Sequence, residues 1–223
     1  MSDFFIQQAR RHVAGRDWPA ALEAIARAVD KSPQDPLAWY LKGVIEMETG
    51  RPHDARASAQ RAAELAPGDA RNWLLLGTAA QETGDRDGAR DAATRAVSVA
   101  PGLGPAWNRL GTLEYDNGDF DAAERAFEHA VECDPQHARS WNNLALARLN
   151  AGRLDEAEQA LKRALAVWPD YSIAFRNLAR IAAARGDMNR HESYETVANR
   201  LEAMKVEEAA AVRSAPVAPQ RSQ

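Results

Sequence analysis

His129, Cys133 and His137 are the side chains whose types and spacing suit a metal ion, since successive members lie four residues apart. On one continuous helix, this spacing would place two imidazoles and a thiolate on the same face, as a zinc site requires. Pro135 lies between Cys133 and His137, and proline cannot continue a helix interior, because it lacks the N–H and its ring clashes with the preceding turn. The sequence therefore predicts that the three residues do not share a helix and that they form no metal site.

No other arrangement in the sequence points to catalysis. No Ser-His-Asp or Cys-His grouping is suggested, and the glycines recur every 34 residues instead of forming a phosphate-binding loop. Residues that lie at multiples of 34 positions from Cys133 are apolar: Leu65, Val99 and Val167. We therefore expect Cys133 in the core. The sequence predicts a protein that is not an enzyme and that uses no cofactor.

The composition favours a helical protein without nucleic-acid or membrane partners. The chain has 223 residues and a formal net charge of -4, which disfavours non-specific attraction to nucleic acid. It has one cysteine, so no intrachain disulfide can form. No apolar run approaches the ~20 residues that span a bilayer, and the N-terminus shows no signal peptide. We therefore predict a soluble cytoplasmic protein.

Five prolines recur every 34 residues: Pro33, Pro67, Pro101, Pro135 and Pro169. An aromatic column has the same period: Phe5, Trp39, Trp73, Trp107, Trp141 and Phe175. So do two columns of small residues: Ala9, Gly43, Gly77, Gly111, Ala145 and Ala179, then Ala21, Ala55, Ala89, Ala123 and Ala157. A glycine column follows: Gly50, Gly84, Gly118, Gly152 and Gly186. Because glycine ends helices and small residues let helices approach closely, each repeat is predicted to be helix, glycine turn, helix and proline turn.

This pattern resembles the tetratricopeptide repeat, and one repeat carries the likeness in full: Trp107, Leu110, Gly111, Tyr115, Gly118, Phe120, Ala123, Phe127, Ala130 and Pro135. The match covers residues 1–204, as six repeats that begin near residues 2, 36, 70, 104, 138 and 172. The resemblance implies an all-α, right-handed α-solenoid of about six 34-residue helical hairpins. The first and last repeats are degenerate, and the first has one extra residue between Gly15 and Trp18. Residues 205–223 are predicted to form a helix extension and a disordered tail.

The resemblance also implies a function, because the concave groove of this family commonly holds an extended peptide or a helix against the first helices of the repeats. The predicted contact residues begin with an apolar group: Tyr40, Leu41, Val44 and Leu74. They continue with a polar group: Asn108, Arg109, Thr112, Tyr115, Asn142, Asn143, Arg176, Asn177 and Arg180. Asparagine can donate to and accept from a peptide backbone, and arginine offers a planar fork to a carboxylate. The sequence therefore predicts a scaffold, adaptor or chaperone-like module that binds another protein.

Three alternatives stay open. The apolar contact residues could pack between neighbouring repeats as core, and the polar ones could be solvated. Phe4, Phe5 and Ile6 lie together in the irregular first repeat, so the second alternative is a structural protein that forms a homo-oligomer through its N-terminal repeat. The third is a subunit that delivers polypeptide substrate to a separately encoded enzyme, such as a glycosyltransferase.

Overall fold

The computed structural model describes the backbone of residues 2–214 and the side chains of residues 2–207. The described residues form twelve α-helices and no strand, which confirms the predicted all-α fold. In chain order the helices are α1 Ser2–Ala14, α2 Trp18–Lys31, α3 Pro36–Glu48, α4 Pro52–Leu65, α5 Ala70–Glu82, α6 Arg86–Val99, α7 Gly104–Asp116, α8 Phe120–Cys133, α9 Ala138–Asn150, α10 Leu154–Val167, α11 Ser172–Ala184 and α12 Met188–Ser214. Each odd-numbered helix packs against the even-numbered helix that follows it, so the described helices form six hairpins, one for each predicted repeat.

The chain divides into two compact units, Met1–Cys133 and Asp134–Gln223. The first unit contains the four hairpins from α1 to α8, and the second contains the two hairpins from α9 to α12. Within the first unit, α3, α5 and α7 each pack against the second helix of the preceding hairpin, and within the second unit α11 packs against α10. The first helices of consecutive hairpins also contact each other inside each unit, which brings their predicted contact residues together.

A hydrogen bond that was not predicted joins the aromatic column to the proline column. The indole Nε1–H of each column tryptophan donates to the carbonyl oxygen of the proline six residues earlier. The bonds are Trp39 to Pro33 at 2.8 Å, Trp73 to Pro67 at 2.8 Å, Trp107 to Pro101 at 2.7 Å and Trp141 to Pro135 at 2.9 Å. Each ring packs as a half-buried apolar body while its polar edge is satisfied, and each bond closes the loop that enters a first helix.

The columns of small residues mark the closest approaches between helices, as predicted. The five alanines of the second small column are 0% exposed: Ala21, Ala55, Ala89, Ala123 and Ala157. At Gly111 the approach is closer still, because a Cβ atom there would lie 2.6 Å from Cε1 of Phe127. Interiors at native density cannot absorb so short a contact without moving the ring, so any larger residue at Gly111 would displace Phe127.

The first repeat has the regular length, so the predicted extra residue after Gly15 is wrong. Arg16, which lies 34 residues before Gly50, adopts the left-handed turn conformation with φ 55°, close to the 71° of Gly50. Asp17 then caps α2, where its carboxylate accepts a hydrogen bond from the N–H of Ala20 at 3.2 Å. The turn is therefore conserved in geometry between repeats although its residue type is not, at a cost of about 1 kcal/mol for a residue that carries a Cβ.

Lys42 belongs to a polar cluster inside the second repeat, although four later repeats have a leucine at its position: Leu76, Leu110, Leu144 and Leu178. Glu46 is 2% exposed, accepts a hydrogen bond from Oγ of Ser58 at 2.6 Å, and has its Oε1 atom 3.0 Å from Nζ of Lys42. The third repeat has apolar residues at the same three positions: Leu76, Ala80 and Ala92. The buried carboxylate is thus both paired and hydrogen-bonded, as burial of a charge requires.

The last repeat is formed by α11 and α12, which pack against each other as the other hairpins do. Helix α12 continues through the start of the predicted helix extension as far as Ser214. The disordered tail was predicted to begin at Ser214, but Ser214 is the last residue of α12, and residues 215–223 lie outside the described residues. No helix in the described part of the chain is long and apolar enough to cross a membrane.

The end of α8 separates the three residues that were considered for a metal site. Helix α8 ends at Cys133, and His137 is the N-cap residue of α9, which confirms that Cys133 and His137 lie on different helices. Cys133 is exposed, so the expectation that it lies in the core is wrong. The physical reason is its place in the last turn of a second helix, where the equivalent Val99 of α6 is also 38% exposed.

Candidate functional site

The predicted contact residues of the first compact unit lie on three first helices, α3, α5 and α7. All eight are partly exposed, being neither buried nor fully in solvent: Tyr40, Leu41, Val44, Leu74, Asn108, Arg109, Thr112 and Tyr115. Helix α5 packs against both α3 and α7, so the structure brings these residues together on neighbouring helices. We call these eight residues the first-unit surface.

A cavity of about 180 Å³ opens beside Tyr40, between the first turns of α3 and α5. The guanidinium carbon of Arg71 lies 5.7 Å from the centre of the Tyr40 ring, a cation–π distance. Oδ2 of Asp69 accepts a hydrogen bond from Nη2 of Arg71 at 2.6 Å, and this bond lowers the pKa of the Asp69 carboxyl. The cavity therefore has an aromatic wall and an ion pair at its rim.

Leu37 and Arg71 line this cavity, although neither was among the predicted contact residues. A signal for them was present, because they lie 34 residues apart and one helical turn before Tyr40 and Leu74 respectively. Leu37 is 37% exposed, so a ligand that reaches Tyr40 also meets an accessible leucine. Leu37 and Arg71 therefore belong with the predicted contact residues.

The alternative that the apolar residues pack as core is true in part. Leu41 packs against the buried cluster that includes Ala38 and Ile45, and Leu74 packs against the cluster that includes Ala70. Both leucines nevertheless remain partly exposed. Each leucine packs against the core on one side and exposes apolar surface on the other. A ligand that covered this surface would gain about 25 cal/mol of binding free energy per Å² buried.

Arg109 is the cation of the first-unit surface, and its hydrogen-bond partners are neutral side chains. Its Nη1 donates to Oε1 of Gln81 at 2.7 Å and its Nη2 donates to Oγ1 of Thr78 at 2.9 Å, both on α5. Burial lowers the pKa of the Arg109 guanidinium, and the charge of Glu82 opposes that shift from a distance. A guanidinium stays protonated at physiological pH, so the surface presents a fixed positive charge whose hydrogen-bond partners carry none.

Hydroxyl groups next to Arg109 are fixed by the helix backbone. Oγ1 of Thr112 donates to the carbonyl oxygen of Asn108 at 2.9 Å, and Oγ1 of Thr78 donates to that of Leu74 at 2.9 Å. Once a hydroxyl has donated its proton to the backbone, it offers only lone pairs to other groups. This explains how Thr78 can accept from Arg109, and it makes Thr112 an acceptor for a ligand.

The second compact unit uses its predicted contact asparagines differently. Asn142 on α9 and Asn177 on α11 are buried, at 2% and 5% exposure, and Nδ2 of Asn177 donates to Oδ1 of Asn142 at 2.8 Å. Nη1 of Arg180 donates to Oδ1 of Asn177 at 3.3 Å. An amide both donates and accepts, and Asn177 does both, since it donates to Asn142 across the helix pair and accepts from Arg180. These asparagines are therefore bonded to each other inside the unit, and their side chains are not accessible to a ligand.

Arg176 likewise has its carboxylate partner within the chain. Its Nη2 atom lies 2.6 Å from Oε2 of Glu202 and 3.3 Å from Oδ1 of Asn199, both on α12. The remaining predicted residues of this unit are more accessible, with Asn143 partly exposed and Arg180 exposed. Three of the five predicted residues of the second unit, Asn143, Arg176 and Arg180, are thus at least partly exposed, and Arg176 is held by an ion pair within the unit.

Two larger cavities of the first unit are lined by residues outside the first-unit surface. One of about 430 Å³ has Arg86 and Asp116 in its wall, and one of about 330 Å³ has Trp73 and Arg95. Charged side chains of both signs line each of them, so neither presents a single charge to a ligand. Among the described residues, no group of three His, Cys, Asp or Glu side chains is placed to hold a metal ion.

A family model described as Cilia and flagella-associated protein 70 C-terminal domain matches residues 6–215, which is most of the chain. No curated protein matches the chain in sequence. Among solved structures, MamA has a TM-score of 0.67 at 24% identity, over 74% of this chain and 91% of that one. PilF of Pseudomonas aeruginosa has a TM-score of 0.78 at 16% identity, over 94% of this chain and 96% of that one.

A third similar structure is YrrB, described as a TPR protein with an unusual peptide-binding site. Its TM-score is 0.67 at 19% identity, over 86% of this chain and 100% of that one. At identities this low, the three likenesses show a shared fold and nothing about a shared ligand. They agree with the helical hairpins found here and with the repeat pattern of the sequence.

Proposed function

Because this chain belongs to the tetratricopeptide repeat family described as Cilia and flagella-associated protein 70 C-terminal domain, we propose that it is a protein-interaction module. Its first-unit surface binds a segment of another protein in the cytoplasm. The observation that carries this proposal is the row of partly exposed apolar and aromatic side chains on α3 and α5, next to the half-buried cation Arg109 on α7. The peptide-binding site described for YrrB, a protein of the same fold, supports it. The proposal gives the chain no catalytic step and no cofactor.

The cavity beside Tyr40 suits one side chain of a ligand segment. Its volume of about 180 Å³ is below the range of about 300–1,000 Å³ that small-molecule sites occupy. Its wall of Leu37 and Tyr40 favours an apolar or aromatic side chain, and the Arg71–Asp69 pair at the rim can bond to the peptide backbone. An apolar anchor in a small cavity is the arrangement in which a few residues carry most of the binding energy.

Arg109 favours a ligand that also carries a carboxylate. Its two hydrogen-bond partners, Gln81 and Thr78, are neutral, so an incoming carboxylate need not displace an existing ion pair. Hydrogen bonds between charged partners are about twice as strong as neutral ones, and a guanidinium fork matches a carboxylate in shape. We therefore expect an extended segment with one apolar side chain at Tyr40 and an acidic group at Arg109, with Asn108, Thr112 and Tyr115 beside it.

A random peptide library panned against the full chain provides the probe for this proposal. Affinities of the enriched peptides are measured by fluorescence anisotropy for the wild type and for Tyr40→Ala, which removes the aromatic wall of the cavity. We expect Tyr40→Ala to weaken binding about thirtyfold, as loss of a central anchor does. The matched control is Val99→Ala, which shortens an exposed apolar side chain on a second helix of the same unit.

Equal affinities for Tyr40→Ala and the wild type, with helicity unchanged in circular dichroism, would place the binding surface elsewhere. The substrate-delivery alternative uses the same surface and differs only in what is captured. Affinity purification from the native cell with mass spectrometry tests it, because that alternative requires an enzyme and its polypeptide substrate among the proteins that Tyr40→Ala fails to retain.

A further inference from the structure

Phe4 occupies a position that is buried in every later repeat, yet it is 68% exposed. The equivalent residues are exposed by 2% or less: Ala38, Asn72, Ala106, Ser140 and Ala174. Asn72 shows what this position faces in the first unit, since its Nδ2 donates to the carbonyl oxygens of Ala62 at 3.1 Å and Ala66 at 3.2 Å, at the end of the preceding second helix α4. On α1 the corresponding face is exposed at Phe4.

Arg11 marks a second place where the open face of α1 differs from its equivalents. In the next three repeats the position is buried and apolar: Ile45 at 3%, Ala79 at 0% and Leu113 at 7% exposure. Arg11 is exposed, and so is Phe4, where small residues elsewhere let a second helix approach closely. A bulky ring at the first position and a cation at the second would hold an ordinary second helix away, because the ring adds volume and the charge would be buried without a partner. This face of α1 therefore suits a partner other than the second helix of an ordinary repeat.

Helix α12 of another copy does not supply that partner. Helix α12 has Glu195 where the earlier second helices have a buried apolar residue: Ile25, Ala59, Ala93, Phe127 and Leu161. It also has exposed Asn199 where three of the first-unit helices have a buried valine: Val29, Val97 and Val131. A head-to-tail contact between copies would press the Phe4 ring against this polar end, and a phenyl ring offers no hydrogen bond to a carboxylate or an amide that loses its water there. The face of α1 fits another copy of itself better.

Phe4, Gln8 and Arg11 form one stripe along α1, because residues four and seven apart lie on the same side of a helix. If two α1 helices pair antiparallel about a two-fold axis between residues 7 and 8, Phe4 of each copy meets Arg11 of the other. A guanidinium over an aromatic ring is an attractive contact, and here it occurs twice. Antiparallel packing also sets the acidic first turn, with Asp3, beside the basic last turn of the other copy and opposes the two helix dipoles.

We propose that two copies of the chain associate through α1 in this antiparallel, two-fold contact, with Phe4 of each copy packed beneath Arg11 of the other. The contact is self-complementary, as closed dimers require. Helix α1 has 13 residues and is about 20 Å long, so the buried area lies at the low end for specific complexes. The dimer is therefore weak and concentration-dependent, and it leaves the first-unit surface on α3, α5 and α7 to its own ligand.

Sedimentation equilibrium of the full chain over a wide concentration series tests the association. We expect the mass to rise from that of the monomer to twice that value, and we expect Phe4→Arg to raise the dissociation constant about thirtyfold by setting two cations against each other. Adding Arg11→Glu to Phe4→Arg should restore much of the affinity, since the new pair has opposite charges. Ile173→Arg, at a residue of α11 that is 48% exposed, is the matched control and should leave the dimer intact.

Disulfide trapping tests the antiparallel arrangement separately. In a Cys133→Ser background, Gln8→Cys lies next to the axis and should give a covalent dimer on oxidation, whereas Ala14→Cys, at the end of the same helix, should give far less. A wild type that is monomeric at every concentration would overturn the proposal, as would a dimer unaffected by Phe4→Arg. Equal trapping at residues 8 and 14, or no rescue by Arg11→Glu, would overturn the antiparallel contact.

Discussion

Leu74 and Arg109 in the first compact unit occupy the same two repeat positions as Asn142 and Asn177 in the second. In the first unit both side chains are partly exposed, and Arg109 bonds to the neutral groups of the neighbouring helix α5. In the second unit both side chains are buried and bond to each other at 2.8 Å. One pair of positions therefore belongs to the proposed ligand surface in the first unit and forms a buried hydrogen-bonded pair in the second.

Side-chain size and pairing explain this difference. Two amides are small, and the Asn177 amide donates to Asn142 while its own oxygen accepts from Arg180, so both groups of the Asn177 side chain keep hydrogen bonds on leaving water. Leucine and arginine cannot satisfy each other in this way, and a guanidinium without a carboxylate partner resists full burial. A polar residue at a groove position of a tetratricopeptide repeat is thus evidence for ligand binding only when the next repeat cannot pair with it.

The largest expected effect comes from breaking the amide pair. Asn142→Ala should lower the free energy of unfolding by about 1–3 kcal/mol, because the buried Asn177 amide loses its acceptor. Urea denaturation followed by circular dichroism measures the change. Asn189→Ala is the matched control, because Asn189 is an exposed asparagine of α12 in the same unit, so its loss should cost under about 0.5 kcal/mol. Similar costs for both variants would contradict the assignment of Asn142 to the interior.

Arg109→Ala should affect binding more than stability. For a peptide that carries a carboxylate we expect an affinity about tenfold lower, which corresponds to about 1.4 kcal/mol, because the charge-assisted hydrogen bond is lost. The wild-type affinity should also fall as salt is added, since salt screens an accessible charge pair. Anisotropy titrations at two salt concentrations measure both effects. Arg27→Ala, at an exposed arginine of α2, is the control, and an equal loss there would show that the effect is not local.

The smallest expected effect is that of Arg176→Ala in the second unit. The Arg176–Glu202 pair has side chains that are 43% and 45% exposed, so water and salt screen it. Exposed pairs contribute about 0–1 kcal/mol, and we expect a loss of unfolding free energy within that range. Thermal unfolding at low and high salt measures it, and the difference from the wild type should shrink as salt rises. A loss of unfolding free energy as large as that of Asn142→Ala would mean that the Arg176–Glu202 pair stabilises the fold as much as the buried amide pair does.

The 34-residue columns were sufficient to predict the hairpins and the buried alanines, because those features depend only on local conformation and on residue size. They were insufficient for Asn142 and Asn177, whose burial depends on two repeats at once. The same holds for Lys42, Glu46 and Ser58, which depart from their columns together and make sense only as a cluster. Arg16 was misjudged because a residue type other than glycine occupied the left-handed turn. A single column does not suffice to predict the burial of a side chain when that burial depends on a residue in another column.

The hydrogen bonds between the column tryptophans and the preceding prolines also bear on the order in which the protein opens. Four of the loops that enter a first helix are held by an indole, from Trp39, Trp73, Trp107 and Trp141. The loop between Pro169 and α11 has Phe175 at that place, and a phenyl ring has no proton to donate. Within the second unit, amide protons of α11 and α12 should therefore exchange with solvent before those of α9 and α10, so that this end frays first.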